Sequence, residues 1–234
     1  MLPIVILAGG LATRLRPVTE KIPKSLVLIN DQPFVFHQLQ LLKEKGIKKV
    51  HFCLGYLGEM VEEFVNLHFR TSFKLSFSYD GNPLLGTGGA ILNSFNFLDE
   101  NFFITYGDSY LDIDYQAVNN LYNAFNKPEL GLMTVYNNNG KWDTSNVIFK
   151  NEKLEYYSKK NKNELMNYID FGLGILSKQH FANRNPGENF DLSEIYEFLS
   201  TEKKLIGFEV FNRFYEAGSF SGIEDLSNYL KQKQ

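Results

Sequence analysis

A single cysteine, Cys53, occurs in 234 residues, so no disulfide can form within the chain. It lies in the apolar run Val50-His51-Phe52-Cys53-Leu54, where a buried strand residue is expected. The four histidines, His37, His51, His68 and His180, are scattered without a Cys/His cluster, which argues against a zinc site. Excess charge of either sign is also missing: 24 Lys plus Arg against 27 Asp plus Glu leave a net charge of −3. Without a strongly basic surface, nucleic acid is not the expected partner. Phosphate ligands stay open, because a few local cations and backbone amides suffice to hold them. No charged start leads into a long apolar stretch, and no run is long enough for a membrane span. The expectation is a soluble cytoplasmic protein with no membrane partner.

What the chain does have is 44% hydrophobic residues, enough for one sizeable core and a single domain over residues 1–234. Pro3 to Ala8 is an apolar run without polar alternation, the pattern of a strand buried on both faces, and Gly9-Gly10 ends it. Residues 33–45 read as a helix stopped by Gly46, and Lys48 to Leu54 as a second strand. A helix over Gly58 to His68, a strand over Lys74 to Tyr79, a helix over Gly88 to Phe97 and a strand over Phe102 to Tyr106 follow. Such strand–helix alternation at short intervals predicts a doubly wound, Rossmann-like α/β sheet.

After about residue 130, short strands are expected at Leu130–Tyr136, Ser145–Lys150, Leu154–Tyr157, Ile169–Leu176 and Lys204–Phe208. Asn137–Lys141 and Lys159–Asn163 read as solvent loops, and Asp191–Leu199 and Gly222–Leu230 as late helices. The first half, about 1–130, is expected to bind nucleotide, and the second, about 131–234, its co-substrate.

The most informative segment runs Leu7-Ala8-Gly9-Gly10-Leu11-Ala12-Thr13-Arg14-Leu15-Arg16-Pro17, then Ile22-Pro23-Lys24. Glycines let backbone amides approach phosphates, a guanidinium grips phosphate oxygens in pairs, and a lysine adds a point charge. The loop lacks the third glycine of a dinucleotide fingerprint, and it is not a P-loop. A Gly-Gly turn beside cations is, by itself, equally a tight turn with solvated charges. Leu85-Gly86-Thr87-Gly88-Gly89-Ala90 is likewise a phosphate- or base-hugging turn or a plain strand–helix connection. Tyr106-Gly107-Asp108 ends a buried strand on a carboxylate, where ligands bind in open α/β sheets. Asp112-Ile113-Asp114 is a literal D-x-D, a pattern common by chance, and reads as a helix N-cap region.

Together these segments resemble the sugar-1-phosphate nucleotidyltransferase family, whose signature runs roughly L-A-G-G-x-G-T-R-L-x-P-x-T-x-x-x-P-K. Ala8, Gly9, Gly10, Thr13, Arg14, Leu15, Pro17, Thr19, Pro23 and Lys24 match it, and Ala12 departs from its third glycine. The resemblance implies the nucleotide-diphospho-sugar transferase fold, with a mixed sheet. It also implies that Ala8, Gly9, Gly10 and Thr13 lie against the nucleotide, that Arg14 holds its β- and γ-phosphates, and that Lys24 contacts the reacting phosphates. Gly86, Thr87 and Gly88 match the family's P-L-G-T-G-G-A turn at base and ribose, with Asp80 the candidate base reader. Pro83-Leu84-Leu85 runs one residue longer than the pattern. Asp108 matches the family's Mg²⁺-holding Asp. Phe214-Tyr215-Glu216-Ala217-Gly218-Ser219 resembles the late F-x-D-x-G-T segment, with Glu216 in place of the second metal-binding Asp.

For the acceptor, the resemblance points to Lys159, Asp170 and Gly172; a surface Lys and a turn Asp are equal alternatives for the first two. The implied reaction joins a nucleoside triphosphate to a sugar 1-phosphate with Mg²⁺ and releases pyrophosphate, by in-line attack at the α-phosphate. An ionised Asp80 can only accept hydrogen bonds, which favours GTP or CTP. The competing readings are a cytidylyltransferase for a small non-sugar phosphate, a glycosyltransferase using the D-x-D, and a non-catalytic nucleotide-binding module. A homo-oligomer is left open.

Overall fold

The apolar runs of the first half become parallel strands, because a strand covered by helices on both faces has no use for polar alternation. The computed structural model describes residues 1–10, 15, 17–81 and 83–233; Ala12, Thr13 and Arg14 lie outside the described residues. β1 (Ile4–Ala8) is followed by a small hairpin of β2 (Leu28–Ile29) and β3 (Gln32–Pro33), then α1 (Phe34–Glu44). Next come β4 (Lys49–Leu54), α2 (Gly58–Phe69), β5 (Lys74–Tyr79), α3 (Gly86–Asn93), β6 (Asn101–Tyr106), β7 (Ser109–Tyr110) and α4 (Tyr115–Phe125). The second half supplies β8 (Gly131–Asn137), β9 (Val147–Lys150), β10 (Lys153–Tyr157) and β11 (Tyr168–Ser177). α5 (Ser193–Thr201), β12 (Leu205–Val210), β13 (Tyr215–Glu216) and α6 (Phe220–Lys233) complete the chain.

Among the described residues nine strands form one mixed sheet, with β5, β4, β1 and β6 adjacent and parallel. β11 runs antiparallel to β6 and β8, and β8 pairs with β12 in parallel. Alternate residues of β1 feed opposite cores. Ile4 and Ile6 pack with α1, α2 and α4, while Val5 and Leu7 pack with α3 and α5. All four side chains are at most 8% exposed, and burying one such side chain contributes about 1.5–3 kcal/mol. A third cluster fastens α6 to α1 through Phe34, Leu41, Leu226 and Leu230.

Several boundaries differ from the sequence expectation for identifiable reasons. The helix expected over Gly88–Phe97 begins at Gly86 and ends at Asn93; Phe95–Phe97 forms a separate 3₁₀ turn. Ser94 marks the break, its hydroxyl donating back to the Ala90 carbonyl at 2.7 Å. The helix that the D-x-D was expected to cap is α4, whose extent the sequence did not mark because Asn119 stands among the residues of its buried face beside Tyr115, Val118 and Tyr122. The D-x-D motif starts that helix: Asp114 accepts from the Ala117 amide at 2.9 Å. Asp112 instead pairs with Lys45 at 2.6 Å and Lys233 at 2.7 Å, joining the ends of α1 and α6. In the Asn-rich loop after β8, Asn138 is fully buried rather than solvated. Its side chain accepts from the Trp142 amide at 3.0 Å and donates to the Asp143 carbonyl at 2.5 Å.

His51 and Cys53 belong to one buried polar cluster under α3. His51 bonds Ser76 at 2.8 Å and Ser78 at 3.0 Å, and Ser78 bonds Ser94 at 2.7 Å. Burial pushes the Cys53 thiol up to about 12 and holds the His51 imidazole down at about 4. The unfolded imidazole takes its proton near pH 6.5, the folded one only near 4. The fold therefore keeps the full His51 contribution above pH 6.5 and loses roughly 1.4 kcal/mol per unit below it, down to about pH 4. Melting temperatures from pH 7 to 4 are expected to fall more steeply in the wild type than in His51→Gln, which has no proton to take. Equal slopes would refute this account.

Candidate active site

The four parallel strands end level with one another. Ala8 pairs with Leu54, Leu54 with Tyr79 and Leu7 with Tyr106, so Gly9, Gly55, Asp80 and Gly107 emerge along one edge. Two amides continue the ladder past the strands, Asp80 donating to Leu54 and Gly107 to Leu7, each at 2.8 Å. β4 and β6 lie on opposite sides of β1, which makes this edge a topological switch point, the usual ligand crevice of open α/β sheets. A cleft of about 270 Å³ opens there.

Its floor is made of glycine. A Cβ at Gly55 would fall 2.9 Å from the Gly9 Cα, and one at Gly107 2.7 Å from the Ala8 Cβ, so the strand ends touch only because both lack side chains. Ala8, Gly9, Gly10, Asp80, Gly86 and Thr87 line the cleft. Asp80 leans over the floor: a Cβ at Gly9 would meet its Oδ2 at 3.4 Å. Its Oδ1 is buried with no hydrogen-bond partner among the described residues, and burial pushes the carboxyl up to about 6. An acceptor held out of water with no donor on it is set to receive one from a ligand.

Gly88 is occupied otherwise. Its amide donates to the Phe190 carbonyl at 3.0 Å, and the Phe190 ring fills the space a Cβ would take. Thr87 also reaches that segment, accepting from the Leu192 amide at 2.8 Å. Part of the glycine-rich turn therefore serves packing against residues 188–192.

At the other end of the cleft three charged groups converge. Lys24 opens a 3₁₀ turn whose next residue, Ser25, donates to the Gly107 carbonyl at 3.1 Å, and Lys24 Nζ forms an ion pair with Asp108 Oδ2. Directly after Asp108, β7 pairs with β13, placing Ser109 opposite Glu216; the Ala217 amide donates to the Asp108 carbonyl at 2.8 Å. A Cβ at Gly218 would lie 2.8 Å from Lys24 Nζ and 3.3 Å from Asp108 Oδ2, and it would also overlap Glu216 Oε2. Lys24, Asp108 and Glu216 thus surround one point, although 108 residues separate the two carboxylates in sequence. No group of three His, Cys, Asp or Glu side chains gathers among the described residues. Two carboxylate donors still fit Mg²⁺, which is commonly held by one or two carboxylates with substrate phosphates and water completing its shell.

None of the three acceptor candidates is among the residues lining this cleft. Lys159 is paired with Asp191 at 2.9 Å on an exposed surface. The Asp170 carboxylate accepts from the Gly172 amide at 2.9 Å, and burial pushes it up to about 6. Gly172 has φ +100°, and a Cβ there would come within 3.8 Å of Tyr106 and Ser109. Tyr106 joins the two regions. It lines the cleft, and burial together with Asp170, Asp191 and Asp108 raises its phenol well above the ordinary value. Sequence reasoning missed Tyr106 and Gly55, although each stands at the end of a buried strand, where Gly9 and Asp108 had already drawn notice.

A family model described as nucleotidyl transferase matches residues 4–143. The D-glycero-α-D-manno-heptose 1-phosphate guanylyltransferase of Campylobacter jejuni is 30% identical over 194 residues, 82% of this chain and 84% of its own. The choline-phosphate cytidylyltransferase of Streptococcus pneumoniae is 50% identical over 58 residues, a quarter of each chain. In fold, the crystal structure of HddC from Yersinia pseudotuberculosis superposes with a TM-score of 0.78 at 22% identity, over 98% of this chain and all of that one. With the family match covering the glycine floor, Lys24, Asp80 and Asp108, the chain belongs to the nucleotidyl transferase family, among the sugar-1-phosphate nucleotidyltransferases.

Proposed function

We propose that the chain condenses GTP with a sugar 1-phosphate of the heptose or hexose type, giving a nucleotide-sugar and pyrophosphate. The observation that carries the reading is the meeting of Lys24, Asp108 and Glu216 beside the glycine floor. A sugar-phosphate oxygen attacks the α-phosphorus in line with the departing pyrophosphate, so positioning and preorganised charge are the main contributions the protein has to make. Mg²⁺ held by Asp108 and Glu216 supplies charge neutralisation at the phosphate oxygens when bound. Gly9, Gly10 and the start of α3 hold the nucleotide. Lys24 stabilises the reacting phosphates, and the resemblance assigns the β- and γ-phosphates to Arg14. Lys159, Asp170 and Gly172 serve the acceptor. The nucleotide then belongs to the first half of the chain and the acceptor to the second. A nucleoside triphosphate substrate points to the cytoplasm as the place of action.

The heptose-1-phosphate guanylyltransferase match spans most of both chains, which favours a sugar acceptor. The short, more identical match to a choline-phosphate cytidylyltransferase keeps CTP with a small phosphate ester as the second reading. Pyrophosphate release, measured for GTP, CTP, UTP, ATP and dTTP against sugar 1-phosphates and phosphocholine, decides between them. Turnover confined to CTP with phosphocholine rejects the first reading.

Asp80 gives this reading a pH dependence. Guanine offers paired donors to a carboxylate, whereas uracil and thymine set an N–H between two carbonyls. With its carboxyl near 6, Asp80 loses its acceptor character as pH falls through that value. The free fold therefore loses stability as pH rises from the ordinary carboxyl value of 3.8 through about 6, a cost that donors from a bound base remove. The expected result is a kcat/KM for GTP that declines below pH 6 in the wild type and stays level there in Asp80→Asn, with GTP losing its lead over UTP in that variant. An unchanged order of triphosphates in Asp80→Asn removes Asp80 from base recognition.

A further inference from the structure

Glu216 is one methylene longer than the aspartate of the family segment it resembles, and the surrounding turn is built to absorb that length. Both carboxylate oxygens are held within the turn itself. Oε2 accepts from the Gly218 amide, and Oε1 accepts from the Ser219 hydroxyl at 2.5 Å. The same hydroxyl accepts from the Gly222 amide at 3.0 Å, in the first turn of α6. A Cβ at Gly222 would fall 2.6 Å from the Glu216 carboxyl carbon and 2.6 Å from its backbone oxygen, so the carboxylate lies where a side chain would otherwise be. Folded in this way, Oε2 faces the point shared by Lys24 Nζ and Asp108 Oδ2.

We propose that Ser219 is a positioning residue. Its hydroxyl fixes Oε1, turns the longer Glu216 back toward Asp108, and so sets the affinity of the carboxylate pair for a divalent cation. The proposal rests on the reading of Glu216 as a metal-holding residue. Hydrogen bonds to a ligating carboxylate orient it, and removing such a partner typically weakens metal binding about 10–100-fold. Ser219 also caps α6, so a loss of stability in Ser219→Ala does not separate the two roles. Ser219→Gly does: glycine at a cap costs only a few tenths of a kcal/mol and carries no hydroxyl.

The test is Mn²⁺ binding to the intact protein, followed by water-proton relaxation, with melting temperature recorded alongside. Ser219→Gly and Ser219→Ala are expected to weaken Mn²⁺ about tenfold, while Ser219→Thr, which keeps the hydroxyl, stays within about twofold of wild type. In a Glu216→Ala background, Ser219→Gly is expected to add nothing. Unchanged Mn²⁺ affinity in Ser219→Gly, with Glu216→Ala weakened, overturns the positioning role alone. So does an equal loss with and without Glu216. Unchanged affinity in Glu216→Ala overturns the metal reading and this inference with it.

Discussion

Asp108→Asn is expected to abolish Mg²⁺-dependent pyrophosphate release, a fall in kcat of at least about 10³-fold, while the protein still folds. Asn keeps the shape of the side chain and removes its charge. It therefore takes away a donor for the cation and, at the same time, the partner of Lys24 Nζ. The fold does not depend on that charge, because Asp108 is 28% exposed and its ion pair sits at the rim of an open cleft. Pairs of this kind are worth about 0–1 kcal/mol, so the melting temperature is expected to move little. The anchors of the segment lie in the backbone, where the Asp108 carbonyl takes the Ala217 amide and β7 pairs with β13. Circular dichroism, melting and pyrophosphate release on the same preparation are the measurements. Normal Mg²⁺-dependent turnover in Asp108→Asn would falsify the assignment of Asp108 to the metal.

Lys24→Ala is expected to lower kcat on the order of 10²–10³-fold and to change the KM for the nucleotide much less. Lys24 is held from two sides, by Asp108 through its ammonium and by Ser25, which binds its turn to the Gly107 carbonyl. A cation fixed before the substrate arrives is best placed to act on charge that develops during the reaction, and such interactions raise kcat rather than lower KM. Lys24→Arg is not expected to restore the rate, because a guanidinium pairs with Asp108 but spreads its charge over a wide planar fork that cannot occupy the position of a compact ammonium beside Gly218 and Glu216. A rise in KM at unchanged kcat, read from steady-state kinetics, would make Lys24 a uniform binding residue instead.

Local pattern was enough to determine the nine strands of the main sheet and most of the helices, but not the two-residue strands β2, β3, β7 and β13. The apolar stretch Pro3–Ala8, the stop at Gly9-Gly10 and the carboxylate after Tyr106-Gly107 are properties of a few neighbouring residues. Backbone geometry follows such neighbours directly, through side-chain periodicity and the freedom of glycine. The pattern left the extent of an element open where its carriers were atypical, as in α4 with Asn119 on its buried face, and failed where one side chain broke a helix, as Ser94 does.

What the tertiary structure decided is which chemical groups meet. Lys24 and Asp108 are 84 residues apart, and Glu216 is farther still; only the shared edge of β1 and β6 and the pairing of β7 with β13 bring them to one point. The same holds for the groups that look functional in sequence and are committed elsewhere: Gly88 against Phe190, Asp112 between Lys45 and Lys233. A residue type fixes what a side chain can donate or accept. Whether it faces a ligand or a neighbour depends on partners tens of residues away, and on how much water the fold leaves around it. Asp80 is the clearest case: the sequence supplied a carboxylate, and only burial beside Gly9, with one oxygen unpaired among the described residues, gave it a pKa near 6 and a reason to wait for a donor.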